Sequence, residues 1–271
     1  MTFIDTHCHL YDEAFDGDRE EAVQRACEAG VEIMLLPDID SQSTARMDAL
    51  YGSCPRRFRR MAGLHPTSVN ADFERELEHV RSRLFASPQS VAAGCGGYVA
   101  VGEIGMDLYW DRTFIEEQQE ALRRQMIWAR ELDLPVALHV RKAHNEVFSL
   151  LRSLGQTAYR GVMHCFGGSV QEAFKAIEMG FYLGIGGVVT FKNATLAEVV
   201  KAVPLERLLL ETDAPYLSPV PFRGKRNESS YLPLIAQKIA DIKGVPLAEV
   251  AEQTSRNARS LFRLESPRGK D

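Results

Sequence analysis

No stretch of this 271-residue chain is apolar for long enough to cross a membrane, and no charged-then-apolar leader opens it. Basic charge is also scarce: 32 Lys and Arg stand against 37 Asp and Glu, a net charge of -5. A broad cationic face is therefore excluded, so a nucleic-acid partner would be held locally, over bound metal, rather than coated. Cysteine is sparse and unpaired in pattern, with five residues (Cys8, Cys27, Cys54, Cys95, Cys165) and no C-x-x-C. That argues against a disulfide framework, and the expectation is a reduced, soluble, cytoplasmic protein. Missing too is a glycine-rich phosphate turn after an early strand, the usual mark of an open doubly wound sheet. No linker, low-complexity tract or shift of composition divides the chain, so residues 1–271 read as one domain.

What is present is a repeated alternation of short apolar runs with amphipathic segments. Strands are expected over residues 3–10, 31–39, 60–64, 98–105, 135–140, 161–165, 181–189 and from 208 to 211. Helices are expected over 18–30, 41–51 (with Ser41 or Ser43 as N-cap), 72–85, 115–132, 144–154, 169–179 and 197–203. Further helices at 230–240, 246–253 and 254–262 close the chain, and a Ser/Gly-rich loop runs up to Gly97. The strand runs are continuously apolar, as parallel strands covered on both faces must be. Eight such units predict a single (β/α)8 TIM barrel.

Chemistry in a barrel gathers at the C-terminal ends of its strands. Here those ends carry His7 and His9, then His65, Glu103, His139, His164 and Asp213, so five of the seven histidines lie there. Along an extended strand His7 and His9 face the same way. So many imidazoles and acids on one rim would be costly unless cations held them. Imidazole with carboxylate and no convergent thiolate suits open Zn, Mn or Mg sites rather than a closed structural zinc. Six candidate ligands exceed the need of one ion, and a shared carboxylate would let two ions sit roughly 3.5–4 Å apart, as in phosphoester hydrolysis. Glu103 is the natural bridge, with His7, His9 and Asp213 on one ion and His139 and His164 on the other. Asp213 is then placed to ligate and to take a proton from the attacking water. His65, needed for neither ion, is free to donate to a phosphate oxygen. Glu211, two residues before Asp213, is read as an acid orienting the metals, a water or a third ion. Arg223, Lys225 and Arg226 form a basic loop past the last strand that would contact phosphate, with Arg141 assisting. Arg56, Arg57, Arg59 and Arg60 precede the third strand and read as surface charge on the opposite rim.

These segments, taken together, resemble the TatD family of metal-dependent deoxyribonucleases. The resemblance rests on residues 3–10, Gly63-Leu64-His65-Pro66, residues 101–107, His164-Cys165-Phe166-Gly167-Gly168, residues 210–217 and residues 221–227, in order and without a large insertion. It implies an amidohydrolase-superfamily barrel, two and sometimes three divalent ions, and a 3′-end exonuclease or damage-incising activity on single-stranded DNA or RNA. The family's ligand set falls on His7, His9, Glu103, His139, His164 and Asp213, and its substrate-side histidine on His65. A monomer acting on strand ends is expected.

Two positions depart from the family pattern. Lys142 stands where many members carry an acid, and Ser229 follows Glu228 where many carry proline. Both are expected on the substrate side, where they bear on preference rather than on metal binding. Hydrolysis of an amide or of an aminoacyl-tRNA ester stays open from residue types alone. Superfamily relatives that bridge their metals with a carbamylated lysine are a poorer match, since no lysine lies in the fourth or fifth strand core. A non-catalytic barrel is disfavoured by the complete ligand set.

Overall fold

Each strand pairs in parallel with the next one in sequence in the computed structural model, which describes residues 1–86, 97–155 and 159–264. The strands are β1 (Phe3–Asp5), β2 (Val31–Leu36), β3 (Phe58–Ala62), β4 (Tyr98–Asp107), β5 (Val136–Arg141), β6 (Gly161–His164), β7 (Phe181–Ile185) and β8 (Leu208–Leu210). Helices α1 (Arg19–Glu28), α2 (Thr44–Ser53), α3 (Phe73–Ala86), α4 (Ile115–Glu131), α5 (His144–Ser153), α6 (Val170–Glu178) and α7 (Leu196–Ala202) return the chain between them, and α8 (Leu232–Lys243) and α9 (Leu247–Phe262) follow. This is the expected (β/α)8 barrel, nearly closed. The Ser/Gly-rich loop is described only from Gly97, and Cys95 lies outside the described residues.

Apolar strand side chains divide between two cores. Phe3, Met34, Phe58, Leu138 and Phe181 pack outward among the helices, while Ile4, Leu35, Met61, Ala137, Val162 and Leu209 pack in a second cluster. Ala258, Leu261 and Phe262 of α9 join that second cluster. Ser255 donates to Thr2 O and Asn257 Nδ2 to Leu208 O, so α9 seals the end of the barrel where the strands begin. The chemistry is thereby left to the other end.

Several boundaries differ from the sequence reading, each for a local reason. β1 stops pairing at Asp5, yet the extended run continues as a rim segment: Thr6 N–H donates to Leu210 O, Cys8 N–H to Leu35 O and His9 N–H to Ala214 O. β7 ends at Ile185 because a 3-10 turn follows over Gly187–Thr190, where a Cβ on Gly187 would overlap Leu217 O. The two helices expected after Pro246 are the single α9, since Thr254 Oγ1 donates to Val250 O at 2.7 Å instead of capping a new helix. Ser43 stands at the N-cap of α2, but its hydroxyl goes to Asp38 at 2.7 Å. Arg59 and Arg60 lie within β3, and Arg60 is no free surface charge: it pairs with Asp48 at 2.5 Å and stacks on Tyr51 and Tyr98.

Candidate metal centre

Glu103 sits at an irregularity of β4, where the register against β5 shifts between Val101 and Ile104. Its N–H donates to Asp38 O, and Gly63, just past the end of β3, lets the two backbones meet, because a Cβ there would lie 2.7 Å from Gly102 C. The carboxylate, 2 % exposed, is delivered into the barrel mouth. Oε2 lies 3.0 Å from His7 Nε2 and 3.7 Å from His9 Nε2. Oε1 lies 2.9 Å from His139 Nδ1, 3.3 Å from His65 Nε2 and 3.6 Å from His164 Nε2. One carboxylate thus turns each oxygen to a different set of imidazoles.

Asp213 closes the ring from the segment just past the last strand. Its backbone is left-handed (φ 58°) and its N–H donates to His7 O. Oδ1 then lies 3.5 Å from His9 Nε2, 3.6 Å from His164 Nε2 and 3.9 Å from His7 Nε2. His164 stacks on His7 at 3.4 Å between ring centres, so it stands between the two groups rather than wholly with His139. Glu211 approaches that ring from behind: Oε1 is 3.0 Å from His164 Nδ1 and accepts from Cys165 N–H, and its Oε2 has no hydrogen-bond partner among the described residues. Gly184 makes the room, since a Cβ there would overlap Glu211.

The donors suit a divalent cation. Among the described residues, ligand atoms of His7, His9 and Glu103, of His7, His164 and Asp213, and of His65, Glu103 and His139 each gather within 4.8 Å. Burial alone would raise the Glu103 carboxyl, but His65, His7 and His164 outweigh it and hold it well below the usual range. Burial would likewise lower His164, yet Glu211, Glu103 and Asp213 drive its pKa up to about 10. A pocket that forces a proton onto an imidazole is one that calls for positive charge, and nitrogen and oxygen donors of this kind bind divalent metals.

The chain matches the family model described as TatD related DNase over residues 4–263. It belongs to the TatD family. It is 39% identical over 262 residues to the uncharacterized metal-dependent hydrolase YabD of Bacillus subtilis strain 168, covering 96% of this chain and 99% of that one. It is 35% identical over 267 residues to the 3'-5' ssDNA/RNA exonuclease TatD of Erwinia tasmaniensis, covering 96% and 100% of the two. The crystal structure of YjjV, a TatD homologue of Escherichia coli K12, superposes with a TM-score of 0.86 at 34% identity, covering 97% and 98%. As a TatD protein the chain is a metal-dependent hydrolase.

The mouth of this TatD barrel is a cavity of about 640 Å³ lined by His9, His65, Glu103, His139, His164 and Asp213, with Arg141 at its edge. Arg223 and Lys225 are exposed and outside that lining; Arg223 stacks on Phe191 at 4.4 Å. Arg226 is engaged elsewhere, with Asp18 at 2.5 Å and over the Phe15 ring. Lys142 lines a neighbouring cavity. Ser229 corrects the expectation of a substrate-side position: it is buried, and its hydroxyl donates to Asp5 at 2.7 Å.

Asp107 escaped the sequence reading. Its Oδ2 lies 2.8 Å from His139 Nε2, which fixes that ring with Nδ1 turned to Glu103. Strand alternation was the available signal, since Glu103, Gly105 and Asp107 share a parity on β4.

Proposed function

We propose that this TatD protein is a phosphodiesterase acting on single-stranded nucleic acid from a 3′ end, as a monomer in the cytoplasm, with residues 1–271 as one domain. The carrying observation is Glu103, whose two oxygens face separate imidazole groups. His7, His9, His164 and Asp213 with Glu103, and His139 with Glu103, are the residues that would hold two divalent ions (Mg, Mn or Zn); Glu211 would be the acid beside a third. When bound, such ions supply an activated water and neutralise charge on the phosphoryl group.

The chain's own groups do the rest. The Asp213 carboxyl is pushed up by burial but drawn below its ordinary value by His164, His9 and His7, so it is ionised and ready to accept a proton from the attacking water. His65 Nδ1 accepts from Thr67 N–H at 3.1 Å, which leaves the hydrogen on Nε2, facing the mouth. Burial lowers the His65 pKa, so the ring acts as a neutral donor to a non-bridging phosphate oxygen as charge grows there. Glu211 and Asp107 hold the His164 and His139 rings. Arg141 is the cavity's cationic phosphate contact, and Arg223 and Lys225 are placed to meet phosphates farther along the strand.

The test is digestion of a 5′-labelled single strand in Mg or Mn, beside the duplex and an aminoacyl-tRNA. Expected is stepwise shortening of the single strand, with Asp213→Asn slower by at least ~100-fold. Undiminished digestion by that variant, or ester cleavage of the charged tRNA alone, would overturn the reading.

A further inference from the structure

Trp110 is 70 % exposed, Tyr109 and Tyr216 are 54 % exposed, and Trp110 and Tyr216 line the same cavity as the candidate metal residues. Tyr216 follows β8 and Trp110 follows β4, so the two rings come from opposite sides of an eight-stranded mouth. Trp110 is not a loose side chain. The Tyr109 ring meets it edge-on at 5.0 Å, and the Arg141 guanidinium lies 4.0 Å from the Tyr109 ring centre and 5.0 Å from that of Trp110. The backbone of this turn is tied to the centre itself: Asp107 Oδ1 accepts from Tyr109 N–H at 2.9 Å and Trp110 N–H at 3.3 Å, while its Oδ2 meets His139.

An exposed indole braced by a cation and anchored through one carboxylate to a metal ligand has the form of a stacking surface. The geometry points to Trp110 as the platform for an unpaired nucleobase next to the scissile phosphate, with Arg141 holding the adjoining phosphate and Tyr216 the opposite wall. This rests on the nuclease reading and adds the physical basis of strand selection. A base inside a duplex has both faces covered by its neighbours, whereas an unpaired base presents one to an aromatic ring whatever its identity. The platform therefore selects single strands without selecting sequence.

The probe is a nuclease-resistant phosphorothioate oligothymidylate added to the Mg-loaded protein, with binding followed by anisotropy and by tryptophan emission. Only two tryptophans occur, and Trp128 is buried, so quenching reports Trp110. Trp110→Ala is expected to bind the strand roughly tenfold or more weakly, and Trp110→Phe to keep most of the affinity without the quenching. For an abasic strand of equal length the difference between wild type and Trp110→Ala should be several-fold smaller than for oligothymidylate, and a difference as large as for oligothymidylate would overturn base stacking as its cause. Equal affinity of wild type and Trp110→Ala for oligothymidylate would overturn the platform alone. Absence of both binding and cleavage of every strand by wild type would instead overturn the nuclease reading on which it stands.

Discussion

A single carboxylate, Asp107, ties together the parts of the site that must agree in position. It sets the His139 ring on one oxygen and the Tyr109–Trp110 turn on the other. Asp107→Asn keeps the size but puts an amide where His139 Nε2–H needs an acceptor, so ring and tautomer lose their constraint. Calorimetric titration with Mn should show metal affinity lower by about 10–100-fold with the fold intact, and unchanged affinity would mean that the pair is merely structural. That this residue was not legible in the sequence, while His7, His9 and Glu103 were, has a physical reason. Ligand types announce themselves by scarcity, since histidine is rare and seldom placed at strand ends by chance. An aspartate at a loop edge looks like any turn residue, and beyond the strand parity it shares with Glu103 only the bonds it receives distinguish it. The same holds for Arg226 against Arg223: equal charges in one loop, of which only the structure shows which is neutralised by Asp18.

At the level of elements, the loop after β8 is fastened to α1 by Arg25, which donates to Glu228 at 2.6 Å and to Asp18 at 2.9 Å. Burial would raise the Glu228 carboxyl, but hydrogen bonds from Arg25 and Ser230 hold it below its usual value. A depressed folded pKa adds stability above the unfolded value of 4.5, and that stability is lost as pH falls below it. Arg25→Met removes the nearest cation from a buried carboxylate, leaving it the Ser230 hydroxyl and Arg226 at 3.6 Å. With Arg25 partly exposed, the cost at neutral pH is about 1–2 kcal/mol. Urea unfolding should show that difference shrinking as pH drops through the carboxylate range; a difference constant with pH would exclude Glu228 as its source. Most elements were readable because apolar periodicity is set by burial on two faces, which a parallel barrel imposes at every strand. Their ends were not, since termination depends on partners remote in sequence. Asp38 draws the Ser43 hydroxyl from its helix, and the rim segment after β1 bonds to Leu210 and Ala214 far down the chain.

For the whole molecule, the centre concentrates imidazoles and carboxylates of the kind that bind divalent cations. Cations bound by the folded state and not by the unfolded one should raise its stability by about 2.7 kcal/mol at a hundredfold excess over the dissociation constant. Chelation followed by Mn readdition should therefore move the thermal midpoint down and then up by several degrees. Midpoints indifferent to both treatments would argue that no ion is held by these ligands. The seam between β1 and β8 adds a final consequence. There Thr212 N–H and Oγ1 donate to Asp5 at 3.0 and 2.6 Å, and Asp213 N–H reaches His7 O. The earliest and latest of the candidate metal residues are thus joined by one clasp. While a ribosome is still extending the chain, His7 and His9 wait without Asp213, and α9 has yet to stopper the barrel. A growing chain still short of residue 213 therefore carries only part of this candidate metal centre.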